Sequence, residues 1–129
     1  MSFLNFSHVT ITDAFLRHVV AGEPDDLSRG GHLFGTRREG KTEFPKDWTP
    51  ETIRFSMIAL LDKPEHVHFS GHNVFLRKHV LGILVEIKLR AQEDLLIPQH
   101  YFPVEGPGVT RNVSGRQVSL DISSQEVRE

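Results

Sequence analysis

The stretch DWTPETIRFSMIALLDKPEHVHFSGHNVFLRKHVLGILVEIKLRA, residues 47–91, decides the fold class, because its apolar period changes partway along. Up to Pro64 the spacing is helical. Ile53, Met57, Leu60 and Leu61 recur at i, i+4, i+7 and i+8 and form one apolar stripe. Thr49 is placed to cap that helix, Pro50 suits its first position, and Glu51 faces the positive end of its dipole. Beyond Pro64 the period becomes two. HVHFSG, NVFLRKHV, LGILVEIKLRA and, further on, LLIPQHYFPV read as successive strands. In the third, Ile83, Val85, Ile87 and Leu89 point one way and Leu84, Glu86, Lys88 and Arg90 the other. Gln92, Glu93 and Asp94 supply a hairpin turn to the fourth. Helix followed by antiparallel strands predicts an α+β fold, with helices packed beside antiparallel sheet.

Toward the N-terminus, Thr12 and Asp13 offer helix-capping chemistry before AFLRHVVAG. Ala14, Phe15, His18 and Val19 are expected on one face, and Gly22 ends that helix. GEPDDLSRGG (22–31) is a loop by composition, and HLFGTRREGKTEFP (32–45) predicts short extended pieces around a turn at Glu39-Gly40. Toward the C-terminus the pattern is weak. One more strand is expected at RQVSLDIS, within a tail that frays from about residue 114 to 129. The 129 residues carry no internal repeat and predict one domain.

Composition narrows the function. A net charge of −2 argues against a surface that tracks duplex phosphates, although Arg37, Arg38, Lys41 and Lys46 form one local basic cluster and Arg77, Lys78, Lys88 and Arg90 another. Without cysteine there is neither a disulfide framework nor a thiolate metal site. No apolar run is long enough to span a membrane, and the N-terminus lacks the pattern of a secretory signal. No Gly-x-Ser-x-Gly elbow or phosphate-binding loop is present, which removes serine hydrolysis and nucleotide hydrolysis. Eight histidines remain as the unusual feature, and histidine is the side chain that changes charge near neutral pH.

Three basic residues stand in a glycine-marked setting: His18 before Gly22, His32 after Gly30-Gly31, and Lys41 after Gly40. Two histidines can act as base and acid on one phosphodiester without metal. One takes the ribose 2′-hydroxyl proton and the other protonates the leaving 5′-oxygen. A lysine beside them stabilises the added negative charge on phosphorus. A second constellation, His66 and His68 on one strand face with Glu65 and His72 nearby, raises the alternative of a histidine-based metal site for Zn²⁺ or Mn²⁺.

Several segments resemble the bacterial EndoU-type endoribonucleases. HVVAGE (18–23) resembles the His-Val-x-x-Gly-Glu segment of the first catalytic histidine, GGH (30–32) the Gly-rich segment of the second, and GKTEFPKDW (40–48) the segment of the catalytic lysine. IPQHYFP (97–103) is similar to the family's Ile-x-Thr-Ala-Tyr-Pro segment, and GPGVTRN (106–112) also recurs in bacterial members, many of them toxin modules. The likeness runs from about residue 14 to 113 with the order of segments kept. It implies a BECR-type fold and RNA cleavage that leaves a 2′,3′-cyclic phosphate. It also implies His18, His32 and Lys41 as catalytic residues, no required metal or other cofactor, and nucleotide binding by Gln99, His100 and Tyr101. Gln99 and His100 depart from the family's small residues, so its preference for uridine is not carried over. The implied partner is single-stranded or loop RNA in the cytoplasm. If the chain is a delivered toxin module, an acidic immunity protein over the cleft is expected as well. A lapsed RNA-binding module of the same fold is the alternative that Gln99 supports.

Overall fold

Both helices begin where their capping residues predict. The computed structural model describes residues 5–121. Helix α1 (Asp13–Val20) is capped by Thr12, whose hydroxyl accepts the Phe15 N–H, and Thr49 accepts the Thr52 N–H at the start of α2 (Pro50–Asp62). Between them lies a two-residue strand, β1 (Thr42–Glu43). The predicted stripe of α2 is realised: Ile53, Met57, Leu60 and Leu61 are all buried. In α1 the inward face is turned from the expected one. Phe15, Leu16, Val19 and Val20 pack on the core while Ala14 is exposed.

The four predicted strands form a meander, β2 (His66–Ser70), β3 (Asn73–Val80), β4 (Ile83–Gln92) and β5 (Leu95–Glu105), each antiparallel to its neighbour. Leu81 and Gly82 both take positive φ in the two-residue loop between β3 and β4, the conformation that twists a hairpin in the right sense. One face of this sheet is the core. Val74, Leu76, Val85, Ile87, Leu89 and Tyr101 lie in one buried cluster with the α2 stripe, and Phe44 and Trp48 stack at 5.1 Å at its edge.

The strand expected at RQVSLDIS forms, but it belongs to a hairpin that was not expected. A hairpin of β6 (Thr110–Val113) and β7 (Arg116–Ser119) pairs through β6 with β1, giving a second sheet in the order β1-β6-β7. Residues 114–121 therefore belong to folded structure, and residues 122–129 of the expected frayed tail lie outside the described residues. The hairpin is held by polar groups that carry no hydrophobic signal. Glu43 is fully buried and accepts from Gly35 N, Arg37 N, Asn112 Nδ2 and Gln117 Nε2. Burial alone would raise the Glu43 carboxyl, but these four donors outweigh it and hold the group below the usual carboxylate range.

Candidate active site

His32 is fixed by the two elements on either side of it. The end of α1 leaves carbonyls without helical partners, and the segment after Gly30 fills them. Gly31 N donates to His18 O at 3.0 Å, His32 N to Val19 O at 2.6 Å, and Leu33 N to Val20 O at 3.2 Å. Only glycine allows this approach. At Gly30, φ is +73° and a Cβ would stand 2.1 Å from the His18 carbonyl oxygen. On the other side, His32 Nδ1 donates to Thr42 O at 2.7 Å and Phe44 N donates to His32 O at 2.8 Å. His32 is 5% exposed. Burial pushes its imidazole down to about 4, the charges of Lys41, His100 and His18 push the same way, and the Thr42 carbonyl opposes them.

His32 opens onto a cleft of about 210 Å³ that it lines with Lys41, Thr42, His100, Phe102 and Arg111. Gly30 and Gly40 complete the wall. Arg111 reaches the cleft because β6 pairs it with Thr42. His18, at the end of α1, does not line the cleft but lies near enough for its charge to act on His32. His18 Nδ1 donates to Glu23 Oε2 at 2.9 Å and its ring stacks on Phe15, which leaves Nε2 for a ligand. Arg38, one of the expected basic cluster, is committed to structure. Its guanidinium donates to the carbonyls of Glu23, Asp26 and Arg29 and so holds the loop that carries Glu23.

The structure thus brings His32, Lys41 and His100 into one cleft with His18 beside it, but it separates the other two expected binding residues from them. Gln99 is exposed, and its amide donates only to the neighbouring Pro98 O, at 3.4 Å. Tyr101 is not placed to stack on a base. It is fully buried, stacks on Phe44 at 5.8 Å, and bonds Ser56 Oγ at 2.6 Å. Burial raises its hydroxyl far above the usual tyrosine range. The cause is a bulge in β5. Lys88 pairs with His100 and Leu89 with Pro98, so Gln99 has no partner in the register. One extra residue reverses the faces of a strand. Here it sends His100 and Phe102 outward and Tyr101 inward.

Glu86 lies, as expected, on the face opposite Ile83, Val85, Ile87 and Leu89, yet it is 7% exposed, because Arg77 Nε and His100 Nε2 bond its two oxygens at 2.8 and 3.2 Å. Burial would raise this carboxyl, and the bonds and charges of His100 and Arg77 outweigh it and lower it. Among the described residues no group of three or more His, Asp or Glu is placed to hold a metal. Glu65, the carboxylate expected to complete a set with His66 and His68, accepts from His79 instead, through its backbone N–H and ring Nδ1.

Arg111, Phe102, Thr42 and Glu23 are site residues that reading the chain did not single out. All four stood inside quoted motifs, Glu23 in HVVAGE, Thr42 in GKTEFPKDW, Phe102 in IPQHYFP and Arg111 in GPGVTRN, which was a usable signal. Comparison finds no matching protein-family model, no matching curated protein and no matching solved structure. The functional reading therefore rests on the ordered segments and on the geometry of this cleft.

Proposed function

We propose that the protein is a metal-independent endoribonuclease that cleaves single-stranded or loop RNA by transesterification. The observation that carries the reading is His32, a buried, neutral imidazole in a cleft that also holds two cations. A carbonyl can only accept, so the Thr42 bond keeps the proton on Nδ1 and leaves the lone pair on Nε2. Nε2 takes the proton of a ribose 2′-hydroxyl, and the oxygen attacks the adjacent phosphorus. The P–O5′ bond breaks, the leaving oxygen takes a proton from His18, and the products are a 2′,3′-cyclic phosphate and a 5′-hydroxyl. Glu23 orients His18 for that donation. Lys41 and Arg111 stabilise the charge that builds on the phosphoryl oxygens, in a cleft whose partial burial strengthens each interaction.

Two observations favour turnover over the alternatives. Gln99, the substitution that supported a lapsed binding module, lies outside the cleft and does not touch the reacting groups. The carboxylate that would complete a histidine metal site is engaged with His79. Incubation of a 3′-labelled single-stranded RNA with the protein tests the proposal. Fragments with cyclic phosphate ends, lost in His32→Ala, are the expected result, and intact RNA would overturn it.

A further inference from the structure

The outer face of the four-stranded sheet carries a row of rings that begins at β2 and ends at His32. His68 meets Phe75 at 6.1 Å, Phe75 meets His100 at 6.4 Å, His100 meets Phe102 at 5.0 Å, and Phe102 meets His32 at 5.9 Å. The order follows from register. His68 pairs with Phe75, Phe75 with Lys88, and Lys88 with His100. Lys88 and Arg90 project from this same face, where Arg77 is paired with the carboxylate of Glu86 and Glu105 lies at the end opposite Leu84. The core residues of β3 and β4 point the other way, toward α2. Across β2, β3 and β4 the face dips into a groove of about 350 Å³ lined by His66, Val67, His68, Phe75, Arg77 and Glu86.

We propose that this face is a binding platform for single-stranded RNA, which takes the bases next to the scissile nucleotide and leads them into the cleft. The proposal rests on the ribonuclease reading for its direction and on the ring row for its existence. Three strand intervals of about 4.8 Å span roughly 14 Å from β2 to β5, which suits two or three bases laid on rings. Bases stack on aromatic faces without regard to sequence, and the cations between the rings meet the backbone phosphates. The face is continuous with the cleft because His100 and Phe102 belong to both. A strand of RNA matches this combination of flat rings, interleaved positive charge and an end at a proton-transferring histidine.

The test compares a dinucleotide with a single-stranded RNA of about twelve nucleotides as substrates, and adds binding of a fluorescein-labelled, 2′-fluoro twelve-mer by anisotropy. Phe75→Ala is expected to raise KM for the long RNA and Kd for the labelled RNA by roughly tenfold, with a much smaller change in KM for the dinucleotide. Phe75→Trp is expected to restore both, which separates stacking from a folding defect. Lys88→Gln is expected to lower the slope of log Kd against log salt by about 0.7, a readout that a purely structural residue does not move. If the protein cleaves both RNAs with equal kcat/KM and Phe75→Ala alters them alike, the platform is wrong and the nuclease stands. If labelled RNA is bound in a Phe75-dependent way but nothing is cleaved, the nuclease reading fails and the platform stands. Absence of RNA binding by the wild-type protein overturns the platform.

Discussion

His32 Nδ1 and the carbonyl oxygen of Thr42 lie 2.7 Å apart, ten residues distant in sequence, and that bond joins the end of α1 to β1 across the candidate site. It orients the ring, selects its tautomer and compensates part of the cost of burying it. The chemistry and the stability of the protein are therefore coupled through one side chain.

His32→Ala is expected to abolish cleavage of single-stranded RNA, because it removes the base. In the wild-type protein the acid limb of kcat/KM, which reports the free enzyme, is expected to fall through about pH 4. The alkaline limb belongs to the proton donor. A pH–rate profile whose acid limb lies at the ordinary histidine value of about 6.5 would contradict the role given to the buried ring.

The same ring makes the fold acid-sensitive. An unfolded chain protonates His32 near 6.5, and the native state resists until about 4. Protons therefore favour the unfolded state, and as pH falls from 6.5 to 4 this group removes roughly 3 kcal/mol of stability. Glu43 acts in the same direction at lower pH. Its native value lies below the ordinary carboxylate one, so its contribution is present above about pH 4.5 and is lost as pH falls through the lowered value. Urea unfolding at pH 7, 5.5 and 4.5 measures the His32 part. Glu43→Gln at pH 7, which sets an amide N–H against donors, is expected to cost about 2–3 kcal/mol.

Lys41→Ala is expected to lower kcat/KM by several orders of magnitude, and Arg111→Ala by a smaller factor. Lys41→Arg retains the charge and should recover part of the loss. His18→Ala is expected to reduce kcat about a hundredfold or more, and His100→Ala to act chiefly on KM. Single-turnover cleavage separates these effects, and the reverse ranking of His18 and His100 would make His100 the proton donor. EDTA is expected to leave all rates unchanged, since the two imidazoles supply both proton transfers.

Tyr101→Phe is expected to cost about 1 kcal/mol in stability, for the buried bond to Ser56, and to change cleavage by less than twofold. Ser56 keeps its bond to Ile53 O, which limits the damage. A large rise in KM with unchanged stability would instead place the tyrosine against the nucleotide.

Tyr101 also shows where a linear reading of the chain ends. The change of apolar period at Pro64 announced α2 and the meander, because both depend on patterns local to each element. The glycine before His32 has a physical reason, since a Cβ at Gly30 would stand 2.1 Å from the His18 carbonyl oxygen. The inward turn of Tyr101 was not legible, since a single unpaired residue at Gln99 reverses a face and leaves alternation intact on either side. Of the β6-β7 hairpin only β7 was legible; β6 pairs with the two-residue β1, and the hairpin's anchor is a buried carboxylate with four polar donors. Arg111 stood in the quoted GPGVTRN segment, which gave it no role of its own. Its place in the cleft comes from pairing with Thr42 across 69 residues of sequence.

The central claim is that His32 and its neighbours cleave RNA through the 2′-oxygen, and the ends of the fragments test it most directly. Mass spectrometry of single-stranded RNA treated with the protein is predicted to find 2′,3′-cyclic phosphate and 5′-hydroxyl ends, with none from His32→Ala or from RNA carrying 2′-deoxyribose at the cleavage site. Cleavage that persists at a 2′-deoxy position, or that survives His32→Ala, would contradict the account.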